Sequence, residues 1–510
     1  MKMKSLSVIS ATFIFAMFFI VPCKAQTPSK VMPVTTSSKD ALKAFTEGRG
    51  EFENSQTTKA AVLFKKAIDL DPDFALANLY LSLSDGSFYP EKFDKAISLK
   101  DKVSNGERIF LEMLDNQRKG NGPEMEKNCR AFAELYPGDP RTQYILGSYI
   151  YYGDDEKAIF YLKKAIELDK NFAPAYADLG SKYQSLRNFE EAEKNYLKYA
   201  EILPGYPKSL QQLGTLYRDE GNFDKALEFY FKMLKQDSSM ITYLMIGNCY
   251  IFKDDFVKAR EYFMKGYERA VNEDEKLAAL SNNAISFVFE GNMDGALKAF
   301  DNIRDLAEKG KRYGTIIDSY LNQVFVSLIF NDITEAKMYL DKAEEEIKTS
   351  AINDIDRTAY KESIPIWRSF YLTSAGDYVA AEKEAESYKA IVEQGKMPSA
   401  MQSVALIFGF LRLRQQRYDE AIEYLLKGGN YYNTWYYLGE AYEGKGDTVK
   451  AKEYFTKVAS ANLCDINLAS VRSLAIEKLK KGSATNLKQN RPSLTTSEYD
   501  TNVYTKTGTN

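Results

Sequence analysis

A glycine recurs at a nearly constant interval in the middle of this chain of 510 residues. The spacings are 33, 34 and 33 residues, between Gly147, Gly180, Gly214 and Gly247. Twelve residues after each of the last three glycines stands an alanine, and a phenylalanine precedes that alanine by three positions. A unit of this length holds two short helices, and these can bury their apolar faces only against neighbouring units. The period therefore predicts an all-α stack of helix pairs.

Each unit carries the same apolar pattern in both of its predicted helices. In residues 173–204, Gly180 and Tyr183 share one face of the first helix, and Ala192 and Tyr196 begin the apolar face of the second. The pattern returns in three neighbouring units, which are residues 139–170, 207–238 and 240–270. This pattern resembles the tetratricopeptide repeat. The resemblance implies a right-handed α-solenoid, or superhelix, of stacked helix–turn–helix units.

The repeats vary in regularity along the chain, and we expect roughly eleven units in one continuous stack. A helix after the last unit would cover its exposed apolar face. The expected segments are a signal peptide at 1–25, a disordered linker at 26–39, divergent repeat-like helices at 40–138, regular repeats at 139–270, degenerate to regular repeats at 271–459, a C-terminal capping helix at 460–481 and a disordered polar tail at 482–510.

The first 25 residues have the composition of a secretory signal peptide. Two lysines precede an apolar stretch at residues 6–21, and Cys23 and Ala25 are small residues at the positions that cleavage after Ala25 requires. We therefore expect an exported protein of the bacterial periplasm or cell surface, in peripheral association with the envelope. Two alternatives stay open, namely retention of this segment as a membrane anchor and lipidation of Cys23.

The charge balance gives no sign of a nucleic-acid partner. The chain has 68 basic and 71 acidic side chains, and removal of residues 1–25 would leave 65 basic side chains against the same 71. Nucleic-acid binding usually needs Lys and Arg clustered on one face, and no basic run stands out. The remaining cysteines, Cys129, Cys249 and Cys464, are odd in number and far apart, which favours buried free thiols over disulfides or zinc ligands.

The chain contains no histidine. This excludes Ser-His-Asp and Cys-His nucleophile systems and histidine-based metal sites. Glycine pairs within residues 48–50, 120–122 and 444–446 lack the other residues of a phosphate-binding loop. We therefore expect no catalytic residue, no metal and no cofactor. An enzyme with a carboxylate or lysine site is one alternative, but it needs a non-repeat domain, and only the irregular residues 73–137 leave room for one.

The resemblance also implies where a partner would bind. In this family the concave surface is lined by the second, fifth, ninth, twelfth and thirteenth positions of the first helices. Among the positions that this register selects in this chain, ten are candidate contacts, which are Arg141, Tyr144, Tyr151, Tyr152, Lys208, Gln211, Arg218, Asn248, Ile251 and Phe252. The fifth positions lack the lysines and asparagines of the carboxylate clamp that some chaperone-binding members use.

Repeat stacks of this kind usually bind other molecules. We expect a non-catalytic scaffold or adaptor of the bacterial cell envelope that binds a segment of a protein partner in its concave groove, with the identity of that partner open. The second alternative is a carbohydrate-binding surface protein of a glycan-uptake system. It is considered because the tyrosines within residues 149–152 and 431–437 could stack on sugar rings.

Overall fold

The computed structural model describes residues 31–54, 56–84, 89–151 and 153–481. Within these ranges every regular element is a helix, so the predicted all-α solenoid of stacked helix pairs is confirmed. The predicted signal peptide, Tyr152 and the polar tail after residue 481 lie outside the described residues. None of the described helices combines the length and the apolar character needed to cross a bilayer.

The helices form two compact units, divided after Ala175, whereas the sequence predicts one continuous stack. The first unit contains the shorter and less regular helices, and a π-helical turn at Leu146–Ile150 directly follows α7. Its helices are α1 Lys39–Glu53, α2 Thr57–Leu70, α3 Ala75–Ser82, α4 Pro90–Ser98, α5 Asn105–Arg118, α6 Gly122–Leu135, α7 Pro140–Ile145 and α8 Asp155–Leu168.

The second unit begins inside α9 and consists of helix pairs followed by one final helix. In each pair, the odd-numbered helix comes first in the chain. The helices are α9 Ala173–Ser185, α10 Phe189–Ile202, α11 Pro207–Glu220, α12 Phe223–Leu234, α13 Met240–Phe252, α14 Phe256–Arg269, α15 Glu273–Glu290, α16 Met293–Lys309, α17 Tyr313–Ile329, α18 Ile333–Thr349, α19 Asp354–Ala375, α20 Tyr378–Gln394, α21 Met401–Arg414, α22 Tyr418–Leu425, α23 Tyr432–Lys445, α24 Thr448–Ala459 and α25 Ile466–Lys481.

The turn inside many pairs consists of a glycine and a short polar residue. Gly221, Gly291, Gly376 and Gly446 each end a first helix with φ between 79° and 88°. Glycine adopts this left-handed conformation without a Cβ clash. An Asn or Asp follows each glycine, and its side chain accepts a hydrogen bond from the third backbone N–H of the next helix. Two capped helix ends in succession fold each pair back on itself.

The recurring glycine of a first helix faces a ring from the second helix, sixteen residues later. A Cβ on Gly214 would lie 2.4 Å from the ring of Tyr230, and a Cβ on Gly247 would lie 2.4 Å from the ring of Phe263. The same contact joins Gly180 with Tyr196 and Gly439 with Phe455. Real Cβ atoms do not come this close to a neighbour, so the glycine period of the sequence records a contact inside each pair.

The first helices of successive pairs approach each other directly in the second unit. Helix α13 approaches α15, α17 approaches α19, and α21 approaches both α19 and α23. None of the second helices in the described part comes as close to the next second helix. A stack curves toward the side on which its helices crowd together, so the first helices line its inner surface. We call the surface formed by α11, α13, α15, α17 and α23 the inner groove.

The thiols of Cys129 and Cys249 are free and buried, as predicted. Burial raises the pKa of each thiol to about 12, so both stay protonated at neutral pH. Cys464 is also free and is half-buried. Among the described residues, no group of three or more acidic or cysteine side chains is arranged to hold a metal ion.

Candidate partner-binding surfaces

In the first unit, Arg141 is held by carboxylates of the same unit. Its Nε lies 2.6 Å from Glu53 Oε1, and its Nη1 lies 2.9 Å from Asp139 Oδ1. The Arg141 side chain is 24% accessible, and Glu53 belongs to α1, so the ion pair joins α7 to α1. The register predicts Arg141 as a groove contact, but its guanidinium is engaged in packing within the unit.

The two described tyrosines among the candidates of the first unit are engaged by neighbouring side chains. Tyr144 meets Phe172 edge to face, with ring centroids 5.5 Å apart. Tyr151 stacks on Tyr161 at 5.2 Å, and its hydroxyl accepts a hydrogen bond of 2.6 Å from Arg130 Nη1. Each ring therefore has a face or an edge covered by the unit itself.

The tyrosine cluster at residues 431–437 packs into the second unit. Trp435 and Tyr436 are buried, and Tyr437 packs on Phe410 with ring centroids 4.9 Å apart. Stacking on a sugar requires an exposed ring face. The packing of these rings therefore does not favour the sugar-binding alternative.

A segment without helix or strand, residues 31–38, lies across loops of the first unit, and we call it the strap. The backbone N–H and the hydroxyl of Thr35 both donate to the Glu107 carboxylate, the N–H at 2.8 Å. The hydroxyl of Thr36 donates to Asp71 Oδ2 at 2.6 Å. The strap therefore follows the turns that join successive helix pairs.

The strap differs from the disordered linker that the sequence predicts at residues 26–39. The Met32 side chain is buried in the apolar cluster of the first unit, and Asp139 Oδ2 accepts a 3.4 Å hydrogen bond from the Met32 N–H. Glu107 is fully buried and accepts hydrogen bonds from the strap and from the Ser104 N–H. Buried carboxylates require such partners. The strap is therefore part of the fold of the first unit.

In the second unit, the polar candidates on α11 are paired with nearby side chains. Lys208 Nζ donates to Gln211 Oε1 at 3.2 Å, and the Arg218 guanidinium pairs with Asp219 at 2.8 Å. Gln184 of α9 donates to the same Asp219 carboxylate at 2.7 Å. Lys208 is exposed, whereas Gln211 and Arg218 are half-buried. This end of the inner groove therefore presents polar groups to the solvent.

Ile251 and Phe252 lie in the inner groove. The sequence predicts that both are open to a partner, but in the structure both are buried. Ile251 is 1% exposed and Phe252 is 6% exposed. Both belong to an apolar cluster that includes Leu468 and Val471 of α25. Asn248, one turn earlier in α13, is half-buried, and its Oδ1 has no hydrogen-bond partner among the described residues. The protein's own C-terminal helix therefore covers the apolar candidates.

Helix α25 does more than the capping that the sequence predicts for it. It packs against α23 and α24, as a cap would, and also against α15. Ala469 of α25 joins an apolar cluster that includes Leu280 of α15 and Val326 of α17. The Arg472 guanidinium lies over the Phe252 ring of α13, with Cζ 5.2 Å from the ring centroid. Helix α25 therefore occupies the inner groove.

A short non-helical linker, residues 460–465, leads from α24 into α25. Within it, Asn462 Nδ2 donates to the Arg218 carbonyl oxygen at 3.1 Å. Asp465 then caps α25, because its Oδ1 accepts a hydrogen bond from the Leu468 N–H at 3.1 Å. The sequence predicts that Arg218 contacts a partner protein. In the structure, the linker of the same chain already contacts the backbone of Arg218.

The contact between α25 and the inner groove leaves buried polar atoms unsatisfied. Asn433 Nδ2 donates to Asn467 Oδ1 at 3.3 Å, but Asn433 Oδ1 has no partner among the described residues. Arg472 Nε is also buried without one, and burial lowers the pKa of Arg472 in spite of the attraction of Asp254. Each such atom costs about 1–3 kcal/mol. The helix is therefore held less tightly than its apolar contacts alone would hold it.

The sequence predictions missed the residues that fix the strap and α25, although two signals were present. Ser104 and Glu107 have the spacing of a capping box, which the structure contains. Helix α25 has apolar residues on two faces, with Leu468 and Ala469 in different clusters. A helix that only caps a stack needs one apolar face, so the second face indicates a further contact.

Comparison with known proteins identifies the repeats. Three family models, each described as tetratricopeptide repeat, together match five segments, which are residues 146–172, 173–205, 209–239, 242–270 and 434–461. A TPR repeat-containing protein of Methanocaldococcus jannaschii is 25% identical over 325 residues, covering 62% of this chain and 43% of that protein. Anaphase-promoting complex subunit 3 of Schizosaccharomyces pombe is 24% identical over 243 residues, covering 46% of this chain and 35% of that protein. The chain thus spans less than half the length of these relatives.

Solved structures with similar helices cover parts of the chain. A tetratricopeptide repeat protein from Parabacteroides merdae is 17% identical and covers 54% of this chain and 99% of its own, with a TM-score of 0.35. MamA is 26% identical and covers 34% of this chain and 98% of its own, with a TM-score of 0.29.

Every segment that the family models match contains a helix pair in which a glycine of the first helix meets a large side chain of the second. Four of the matched segments contain the contacts between a glycine and a ring, and residues 146–172 contain the equivalent contact of Gly147 with Leu162. The matched segments and the stacked helix pairs together establish that the chain contains tetratricopeptide repeats.

Proposed function

We propose that the protein is a non-catalytic scaffold or adaptor that binds a segment of a protein partner in the inner groove of the second unit. The observation that carries this proposal is the position of α25, which packs on α15 and lies over Phe252. A groove that accepts one helix of the same chain has the width and the apolar surface that another helix requires. Binding of an amphipathic helix in a groove is a common mode of protein recognition.

The polar residues of α11, at one end of the inner groove, would fix the orientation of the bound segment. Lys208 is exposed near the start of α11 and donates to Gln211, and Arg218 pairs with Asp219 near the end of the same helix. Polar residues at the rim of an apolar contact usually fix orientation and specificity. A partner segment would thus place apolar side chains along α13 and α15 and its polar end against α11.

We also propose that this scaffold works in the bacterial periplasm or at the cell surface. Residues 1–25 support this proposal, since they have the charge and apolar pattern of a secretory signal peptide. Fractionation of the producing cells and N-terminal sequencing of the purified protein test it. A new N-terminus at Gln26 in the envelope fraction is expected. Intact Met1 on cytoplasmic protein would contradict it.

Capture of the partner with groove variants tests the binding proposal. Residues 26–510 carrying Lys208→Glu and Gln211→Ala should retain a partner at least about tenfold more weakly than the unaltered chain. Lys232→Glu on α12 is the matched control, since Lys232 pairs with Glu228 and lies over the ring of Phe229, both on its own helix. Equal retention by all three chains would place the partner outside the inner groove.

A further inference from the structure

Helix α25 reaches the inner groove through contacts with helices far away in the sequence. Leu468 and Val471 share an apolar cluster with Phe252 of α13. On its other face, Ala469 joins the cluster of Leu280 in α15. The helix therefore lies between first helices of early and late pairs in the second unit, which is the position that a bound partner helix would take.

The fit of α25 is that of a docked segment more than that of a core helix. Its buried residues are mostly small, and Ala469, Ser470 and Ala475 are among them. Two buried polar atoms at the contact, Asn433 Oδ1 and Arg472 Nε, have no partner in the described part of the chain. Small side chains bury little apolar area, and unsatisfied polar atoms oppose burial. Both features weaken the attachment of the helix.

The linker permits α25 to leave without unfolding the helix pairs. Residues 460–465 contain no helix, and α24 ends before them at Ala459. The side chain of Asn462 contributes one hydrogen bond to α11. A short tether of this kind keeps a released helix close to its groove at a high effective concentration.

We propose that α25 is a removable occupant of the inner groove and that the partner is an amphipathic helix that replaces it. This inference rests on the proposed scaffold function. The partner helix presents small and aliphatic side chains at the spacing of Leu468, Val471 and Ala475, and it places a cation over Phe252 in the position of Arg472. Binding therefore requires α25 to vacate the groove, so the free protein is autoinhibited.

A labelled peptide with the sequence of residues 462–481 serves as the probe for this competition. Val471→Asp in residues 26–510 weakens α25 and leaves the groove unaltered. This variant should bind the peptide at least about tenfold more tightly than the unaltered chain, measured by fluorescence anisotropy. Ser473→Asp changes an exposed residue of α25 and is the matched control, which should bind like the unaltered chain. Adding Phe252→Ala to Val471→Asp should abolish the gain.

Two outcomes of this experiment would overturn the proposal. One is a Val471→Asp chain that keeps its helical circular dichroism and binds no more peptide than the control. The other is a gain in binding that survives Phe252→Ala, which would locate the peptide outside the inner groove.

Hydrogen exchange of the unaltered chain keeps the proposal testable if Val471→Asp does not fold. Release of α25 as a unit predicts that its amides exchange with one common protection factor, at least about tenfold below that of α24. Protection equal to that of α24 would show that α25 opens only with the rest of the second unit, and the inference would fail.

Failure of the inference and failure of the proposed function have different results. If Lys208→Glu with Gln211→Ala loses a captured partner but the peptide never binds, the scaffold function stands and α25 is permanent. If the peptide binds but the capture of every protein is unaffected by Lys208→Glu with Gln211→Ala, the inner groove binds helices. The proposal that Lys208 and Gln211 contact the partner is then wrong.

Discussion

At the scale of single residues, a glycine of a first helix is required where a ring or another large side chain of the second helix faces it. A Cβ on Gly48 would lie 2.9 Å from a ring carbon of Phe64, whereas a Cβ on Gly50 would meet nothing within 4 Å. Both glycines lie in α1. The gain in helix propensity from alanine is therefore similar at the two positions and cancels in a comparison.

We expect Gly48→Ala to be less stable than Gly50→Ala by about 1–3 kcal/mol, because only the first overfills a packed contact. Urea unfolding of the two variants, followed by circular dichroism, measures the difference. Gly50→Ala is the matched control and should be as stable as the unaltered chain or more stable. Equal stabilities would show that Phe64 moves aside freely and that the glycine period has another cause.

Asp318 gives the second unit a dependence on pH. Its carboxylate, on α17, accepts a 3.0 Å hydrogen bond from the Tyr360 hydroxyl of α19. Solvent reaches the Asp318 side chain, yet desolvation by the surrounding helices raises its pKa to about 6, although the hydrogen bond from Tyr360 lowers it. The folded protein therefore holds this proton more tightly than the unfolded chain, whose Asp pKa is near 3.8.

This pKa predicts that the contribution of Asp318 to stability falls as the pH rises from about 4 to about 6. The carboxyl favours folding most when it is protonated. Asp318→Asn cannot titrate, so the difference in thermal midpoint between the unaltered chain and this variant should decrease over the same pH window. Thermal unfolding at several pH values measures it. A difference that grows with pH would show that the ionised carboxylate is the favoured form.

The residue scale also shows what the sequence can predict about the inner groove. The contact of Gly214 with Tyr230 repeats at a fixed spacing inside one pair, so the sequence alone reveals it. The burial of Ile251 and Phe252 depends on α25, which is far away in the chain. No local spacing records that contact, so the register assigned both residues to the inner surface but could not show that α25 covers them.

At the scale of elements, the strap fixes loops of the first unit through carboxylates. Thr35 is bound by Glu107, which lies in the first turn of α5, and Thr36 is bound by Asp71, which follows α2. The composition of residues 26–39 is polar, which predicts disorder. The strap is ordered because buried carboxylates accept its N–H and hydroxyl groups, and composition alone does not report such partners.

A double-mutant cycle between Thr35→Val and Glu107→Gln tests this account of the strap. A hydrogen bond to a charged group contributes about 1.5–3 kcal/mol, so we expect a coupling of that order in the free energy of unfolding. Thr36→Val with Glu107→Gln is the control cycle, because the Thr36 hydroxyl bonds Asp71. Coupling as large in the control cycle would mean that Glu107 acts on the strap as a whole and not through Thr35.

At the scale of the whole molecule, the sequence predicted the repeats but did not predict that α25 packs against α15. The turns and the glycine contacts are local, and each is set within one pair. The contact of α25 with α15 arises from the curvature that accumulates over many pairs in the second unit. The small rotation between each repeat and the next sets this curvature, and the sequence of a single repeat does not specify the sum of these rotations.

Removal of residues 461–510 tests whether α25 closes the second unit or only caps its end. In a stack with nearest-neighbour contacts alone, the loss of a cap should affect only α23 and α24. Because Leu280 and Val326 share a cluster with Ala469, we expect the amides of α15 to lose protection at least about tenfold as well. Hydrogen exchange read by mass spectrometry measures this. Removal of residues 482–510, which keeps α25, is the matched control and should leave α15 protected. Loss of protection confined to α23 and α24 would show that α25 is a local cap, and the inner groove would then be open to a partner in the free protein.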